Sequence, residues 1–447
     1  MKTVTETNQI TNGVIWKQLL KFFFPILFGT FFQMLYNTVD AIIVGQVLGK
    51  QALAAVGGGT GTFINLIIGF FSGLAAGTGV VISQKYGAED KKQVDDAVHT
   101  TIALAIISSV IITVLGLLSS KWALQAIDTP EDILPLALDY LNIFFAGSFT
   151  LVFFNIGTGI FRSIGDSRHP LYFLIIGTVC NIFLDILLVA ILPLGVKGAA
   201  YATVLSQGIA MVFTFIWLKK GKNSIEVHFR KIKVHKYMLL PMLKIGCPSG
   251  IQSVMYGISN IIIQKAINGF GTDTAAAWAA YGKLDAFFWM TISAFGIAIM
   301  TFVGQNYGAG KFDRVKQGVR TCTLQAVVTT VSFSIIYILF SNFFYHIFTN
   351  DEEVIKIGMT MVYYIAPTFV TFVAIEILSG AIRGAGKSFY PMIISIFGIC
   401  VLRLAYIWII PYFSHTIEAI CLSYPFSWII TSILYILYYL KGNWLTK

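Results

Sequence analysis

The chain has 447 residues, 56% of them hydrophobic and only 12% charged, with a formal net charge of +10 and a mean hydropathy of +0.77. Ordinary soluble domains carry about 25% charged residues, so this composition excludes a mainly soluble protein and predicts an integral membrane one. The basic residues lie in short gaps between apolar runs, which marks orientation in a membrane and argues against a nucleic-acid surface.

Taken in chain order, the apolar runs predict twelve membrane helices at 16–44, 53–83, 98–119, 133–161, 170–192, 198–218, 238–268, 275–304, 319–347, 354–382, 389–411 and 416–440. Each is near the ~20 residues that a helix rising ~1.5 Å per residue needs to cross a bilayer. Runs of this length exclude the short strands of a membrane β-barrel. Lys17 and Lys21 precede the first run, which is too long for a signal peptide and has no small-residue cleavage site after it, so it is expected to be a retained helix.

With the N-terminus placed in the cytoplasm, the inner segments hold 23 of the 31 Lys and Arg residues and the outer loops hold 4. This is a positive-inside pattern, and it predicts a multi-pass protein of the plasma (inner) membrane with both termini cytoplasmic. The longest polar gap, residues 219–237, carries a run of basic residues and separates six spans from six. It reads as an interlobe linker between an N-terminal lobe (1–218) and a C-terminal lobe (238–447).

Those halves repeat one another at an offset of 221 residues. "QKYGAEDKKQVDDAV" from Gln84 falls on "QNYGAGKFDRVKQGV" from Gln305. Likewise "FRSIGDSRHP" (161–170) falls on "IRGAGKSFYP" (382–391), pairing Arg162 with Arg383 and Gly165 with Gly386. With a small shift, "ALAAVG" (52–57) matches "AWAAYG" (277–282). Six spans per repeat is an even number, so both repeats share one orientation. The predicted fold is therefore all-α, with two pseudo-symmetric six-helix lobes, an arrangement common among secondary transporters.

Pro25, "YNTVDAIIVGQVLG" (36–49), "LAAVG" (53–57), "QKYGA" (84–88), "RSIGDS" (162–167) and "NIFLDILL" (181–188), in this order and over nearly the whole chain, resemble the multidrug and toxic compound extrusion (MATE) family. The resemblance implies export of organic cations against an inward flow of H⁺ or Na⁺. It also implies an N-lobe cation site at Tyr36, Asp40, Tyr140, Asn181, Asp185 and Thr203. The seventh-span glutamate of the NorM-like branch is missing, since no acidic residue lies between Val227 and Asp273. That departure favours the DinF-like branch.

A count of helical rise tests whether those groups share a level. From Phe22 to Val47 the only charged residue is Asp40, and a charge inside a membrane helix costs ~3 kcal/mol on insertion scales. Counting from Lys21, Asp40 lies ~28 Å above the inner surface, and counting from Arg168, Asp185 lies ~25 Å above it. Tyr140 and Thr203, on spans that enter from outside, lie ~9–12 Å below the outer surface. Tyr36 and Asn181 stand one turn before Asp40 and Asp185, on the same faces. All six are therefore expected in the outer half of the N-terminal lobe. Burial and a neighbouring carboxylate both favour the neutral form of a carboxyl group, which suits a proton site. The oxygens of Asp40, Asn181, Asp185 and Thr203 would equally suit Na⁺, and a purely structural helix–helix hydrogen bond is the plainer alternative.

Candidate substrate-lining residues are Asp40, Met34, Tyr36, Phe63, Phe154, Asn155, Met255, Tyr256, Phe288 and Glu376. Aromatic and Met walls with few fixed donors would accept many amphipathic cations. In the C-terminal lobe the counterpart of Asp40 is near Ile262 or Ile263. Glu376 occupies the position that repeats Asn155, ~10 Å above the inner surface, and either lines the substrate path or makes a structural hydrogen bond. Arg403 and Asp285 fall in the outer half and are expected to pair, and Lys265 and Lys283 also lie in spans. Pro25 either kinks the first helix or is tolerated without a gating role.

The expected partners are small-molecule organic cations and the lipid bilayer, with no nucleic acid. A monomer is expected, with no cofactor besides the coupling ion. The six histidines and five cysteines show no metal or nucleophile spacing, so no enzyme is expected. A flippase for lipid-linked precursors is the alternative, and it would want a strongly cationic central cavity.

Overall fold

The computed structural model describes residues 8–220, 227–413 and 416–445. Every expected span coincides with helix. In chain order the helices are α1 (Ile15–Leu48), α2 (Lys50–Gly87), α3 (Lys91–Ala126), α4 (Leu134–Ala146 with Ser148–Ser163), α5 (Arg168–Ile191) and α6 (Val196–Lys219). They continue as α7 (Lys236–Asn268), α8 (Thr272–Gly308), α9 (Phe312–Leu339), α10 (Glu352–Gly384), α11 (Phe389–Ile409) and α12 (Ile417–Lys441). No strand occurs among the described residues.

By length and composition alone, ten of these helices can cross a membrane, and eleven if α4 is taken as one bent span, against the twelve spans expected. The difference is α7. It is long enough at 33 residues, but Pro241, Lys244, Pro248, Ser249, Gln252 and Asn260 dilute its hydropathy. The expected single span 133–161 is broken at Gly147, where α4 bends by 49°. A side chain there would overlap Val204 of α6, so the break lets two helices approach closely. The repeat position in α10 is a 3₁₀ turn over Ala366–Thr368.

Helix starts follow local chemistry. Asp90 caps α3 by accepting the Gln93 N–H at 3.0 Å, and that backbone hydrogen bond holds its carboxyl below the usual carboxylate range. Asp351 caps α10 through the N–H groups of Glu353 and Val354. Backbone conformation repeats with the sequence. Gly165 and Gly386 have φ of 91° and 90°, and Glu89 has φ 58° where the second repeat has Gly310 at 72°.

Compact packing divides the chain into two units. One is Phe24–Gly250; the other joins the chain up to Phe23 with the chain from Ile251 onward. These boundaries fall within α1 and α7, whereas the lobes expected from sequence change at 218 and 238. Part of the expected linker, residues 221–226, lies outside the described residues.

Within the first unit, α7 begins against α2. A Cβ on Gly73 would overlap the backbone of Gly250, and one on Gly77 would overlap that of Gly246. Two facing small-xxx-small stripes thus bring the backbones together. The segment before α7 ties to α3 through the His228 N–H on His99 Nε2 (3.3 Å) and the His235 N–H on Thr100 Oγ1 (3.1 Å). Within the second unit, the turn Gln9–Asn12 ties to the α8–α9 loop. Asn8 donates to Gln305 at 3.0 Å, and Arg314 Nε donates to the Ile10 carbonyl at 3.2 Å.

Candidate cation-coupling site

In the Phe24–Gly250 unit, α1, α4, α5 and α6 bring Tyr36, Asp40, Tyr140, Asn181, Asp185 and Thr203 together, all of them buried. The Asp40 and Asp185 carboxyl groups face one another, and the Asn181 amide lies beside Asp185. The Thr203 hydroxyl faces both phenols. The contacts do not close into a saturated network. Asp40 Oδ1, both carboxyl oxygens of Asp185, both polar atoms of Asn181 and Thr203 Oγ1 lack a hydrogen-bond partner among the described residues. Buried polar groups are normally paired, so this concentration of orphan atoms marks a site built for something other than packing. The last turns of α5, Ile186–Ile191, are π-helical and start at the residue after Asp185. Such turns recur at functional sites.

The orphan oxygens come from four residues and are of the hard type that Na⁺ takes, while the paired carboxyls can share a proton. The donor set therefore fits either ion. No group of three or more His, Cys, Asp or Glu side chains suited to a metal occurs among the described residues.

The candidate lining residues separate into two groups. Met34, Phe63, Met255, Tyr256 and Glu376 are partly exposed, and Asn155 is exposed with its amide donating to the Leu151 carbonyl at 3.0 Å. Phe154 and Phe288, by contrast, are buried in helix packing. Phe288 is 1% exposed and stacks on Phe369 at 4.0 Å, so it offers no surface to a ligand in this conformation. Glu376 inserts between α10 and α8, its carboxyl lying where a Cβ on Gly296 would be.

The expected Asp285–Arg403 pair is absent from the described contacts. Asp285 instead accepts the Trp289 indole N–H, one turn along α8. Arg403 donates to Ser427 at 3.0 Å, with its guanidinium 4.1 Å from the Tyr424 ring centroid. Rings replace the carboxylate as its partner, because a guanidinium stacks well on aromatic faces. Lys265 and Lys283 are exposed. Where Asp40 has its repeat counterpart, Ile263 packs with Ile407 and Ile420.

Sequence reasoning missed two features. One is a polar chain in the second unit, in which Gln252 donates to Tyr256 at 3.1 Å, and Tyr435 lies 2.7 Å from Ser395 Oγ and 2.8 Å from the Pro391 carbonyl. Single hydroxyls spread over three helices carry no spacing signal. The other is a small cleft of about 30 Å³ between α2, α3 and α4, lined chiefly by apolar side chains.

Long helices in two sequence repeats, with polar side chains gathered inside one of them, define a membrane transporter. The MatE profile matches residues 25–187 and 248–409, and the chain belongs to this family, the multidrug and toxic compound extrusion (MATE) transporters. It is 28% identical over 443 residues to the probable multidrug resistance protein YoeA of Bacillus subtilis (strain 168), covering 97% of this chain and 95% of that protein. It is 26% identical to the probable multidrug resistance protein NorM of Thermotoga maritima, covering 96% and 93%. The fold is similar to that of an outward-facing multidrug resistance MATE family transporter of the MOP superfamily, with a TM-score of 0.91, 24% identity and 98% of each chain covered.

Proposed function

We propose that this protein is a secondary antiporter of the DinF-like branch that exports amphipathic organic cations in exchange for H⁺ or Na⁺. The observation that carries the reading is the buried Asp40–Asp185 pair ringed by unpartnered oxygens. A pair of this kind can bind one small cation, or hold the positive group of a substrate, but gains little from holding both. Competition for one carboxylate pair couples the two flows. Tyr36, Tyr140 and Thr203 orient the pair, and Asn181 completes the ligand set.

Met34, Tyr36 and Asn155 in the Phe24–Gly250 unit, and Met255, Tyr256 and Glu376 each within the other unit, are side chains of the adaptable kind that suits many substrates. The protein works as a monomer in the plasma membrane, with both termini cytoplasmic. The relatives named above carry the name probable multidrug resistance protein, and of the second-lobe cations within spans, Lys265 and Lys283 are exposed and Arg403 lies against rings, so the export reading is preferred over a precursor flippase.

The test is efflux of a fluorescent organic cation from vesicles with either a pH or a Na⁺ gradient imposed. Export driven by one gradient identifies the ion, and Asp40→Asn is expected to abolish it. Full gradient-driven export by Asp40→Asn would contradict the proposal.

A further inference from the structure

Each repeat is preceded by a short strap, and the two straps are held by different chemistry. Ahead of α1, residues 8–13 lie against the turn between α8 and α9. Lys311 donates to the Thr11 carbonyl at 3.0 Å, and Arg314 donates twice to the Ile10 carbonyl, at 3.2 and 3.0 Å. Charged donors on carbonyl acceptors make a tie that does not change around neutral pH.

Ahead of α7, residues 227–235 lie along the start of α3, and there the holding group is an imidazole. His99 is 1% exposed. Its Nδ1 is 2.8 Å from the Asp95 carbonyl and 3.4 Å from Asp95 Oδ1, both of which only accept, so Nδ1 carries the hydrogen. Nε2 is then a lone pair, and it accepts the His228 backbone N–H at 3.3 Å. The two partners fix the tautomer, and they fix the ring as neutral.

The rear of the strap is fastened in another way. The Thr100 hydroxyl gives its hydrogen to the Asp96 carbonyl at 2.7 Å and accepts the His235 N–H at 3.1 Å. The His235 ring lies with Nε2 3.4 Å from Asp96 Oδ1, and Asp96 also accepts the Tyr237 hydroxyl.

The two imidazoles answer a proton with opposite signs. A proton on His99 Nε2 removes the lone pair and sets two N–H groups against one another. A proton on His235 turns its contact with Asp96 into a charge-assisted pair. Among the described contacts, Asp95 is the one charged group that meets the His99 ring, and it does so at Nδ1. No charged group of α2, α4 or α7 makes a hydrogen bond or ion pair with that ring, and Arg230, Lys231 and Lys233 of the strap are exposed. Nothing described at Nε2 therefore compensates for the lost acceptor.

We propose that His99 is a pH-sensitive catch on the chain between α6 and α7. Neutral, it holds His228 on α3. Protonated, it frees the front of the strap, while the rear stays fastened at Thr100 and Asp96. The first anchor of this chain on α3 then moves from His228 to His235, and the tether from α6 lengthens by that stretch. The catch belongs to one repeat, since Arg320 stands where His99 would recur. With the orientation proposed above, it faces the cytoplasm and senses acid there.

The test is residue-resolved hydrogen exchange on the purified full-length protein at about pH 8 and about pH 5, which span the imidazole titration. Rates are divided by those of an unstructured peptide at each pH. In the wild type the His228 amide is expected to exchange at least about tenfold faster at the acid pH, while the His235 amide changes less than about twofold. Equal protection of the His228 amide at both pH values, or an equal rise at both amides, would overturn the proposal. His99→Gln keeps an acceptor that does not titrate, so its His228 amide should change less than about twofold between the two pH values. An acid-induced rise of wild-type size in that variant would also overturn it. The wild-type comparison of the two amides stands whether or not the variant folds.

Discussion

The two repeats share one helical plan and use their interiors differently. The first keeps Asp40 and Asp185 buried with unpartnered oxygens around them. The second has Ile263, packed with Ile407 and Ile420, where the first has Asp40, and packs Phe288, Trp289, Phe369 and Phe372 into a ring cluster. Its own buried cation, Arg403, lies against aromatic faces and donates to a serine hydroxyl, with Nη2 left without a hydrogen-bond partner among the described residues. The contrast teaches that a duplicated fold can keep a carboxylate pair in one repeat and put isoleucine packing at the equivalent of Asp40 in the other. Pseudo-symmetry of the backbone says nothing about symmetry of the chemistry.

That asymmetry can be broken from either side. The largest effect is expected from giving the second lobe a carboxylate. Ile263→Asp buries a charge without a partner and should destabilise the protein by about 3 kcal/mol or more, measured as loss of folded material in a thermal scan in detergent. Gly77→Leu, which forces apart the α2 and α7 backbones in the first unit, should cost about 1–3 kcal/mol through overpacking and lower the same melting temperature. Arg403→Leu removes the cation that lies over the Tyr424 and Trp428 rings and should cost about 1–2 kcal/mol, with Arg403→Lys failing to restore it because an ammonium cannot stack as a guanidinium does. A melting temperature unchanged in Arg403→Leu would show that the rings do not depend on the cation.

The smallest effect has the opposite sign. Glu89 holds a left-handed backbone where the second repeat has Gly310. Glu89→Gly should therefore stabilise the protein by up to about 1 kcal/mol, since that conformation costs a residue with a Cβ about 1–2 kcal/mol and glycine loses some of the gain to chain entropy. A fall in melting temperature would mean that the Glu89 side chain makes a contact worth more than the strain.

Much of this asymmetry is legible in the amino-acid sequence. Membrane helices announce themselves by long apolar runs, and α7 is the instructive exception, because Gly246 and Gly250 serve backbone contact with α2 and Pro, Lys, Ser, Gln and Asn residues around them lower its hydropathy. The convergence of Asp40, Asp185 and their neighbours follows from counting ~1.5 Å per residue from charged anchors on either side of the bilayer. What stays hidden depends on side-chain direction. Depth places Arg403 and Asp285 at one level, but a level does not say which way a side chain turns, and each has an aromatic neighbour instead. Phe288 reads as a cavity wall for the same reason and is stacked on Phe369.

The central claim is that one carboxylate pair serves the substrate and the coupling ion in turn. The most direct measurement is ion release on substrate binding by the purified protein, with ethidium added to a weakly buffered, Na⁺-containing solution while H⁺ and Na⁺ are monitored. The account predicts that binding releases one of these ions from the wild type, and that the release disappears in Asp40→Asn and Asp185→Asn. Ethidium binding of wild-type strength with no ion released, or with release undiminished in both variants, would contradict it.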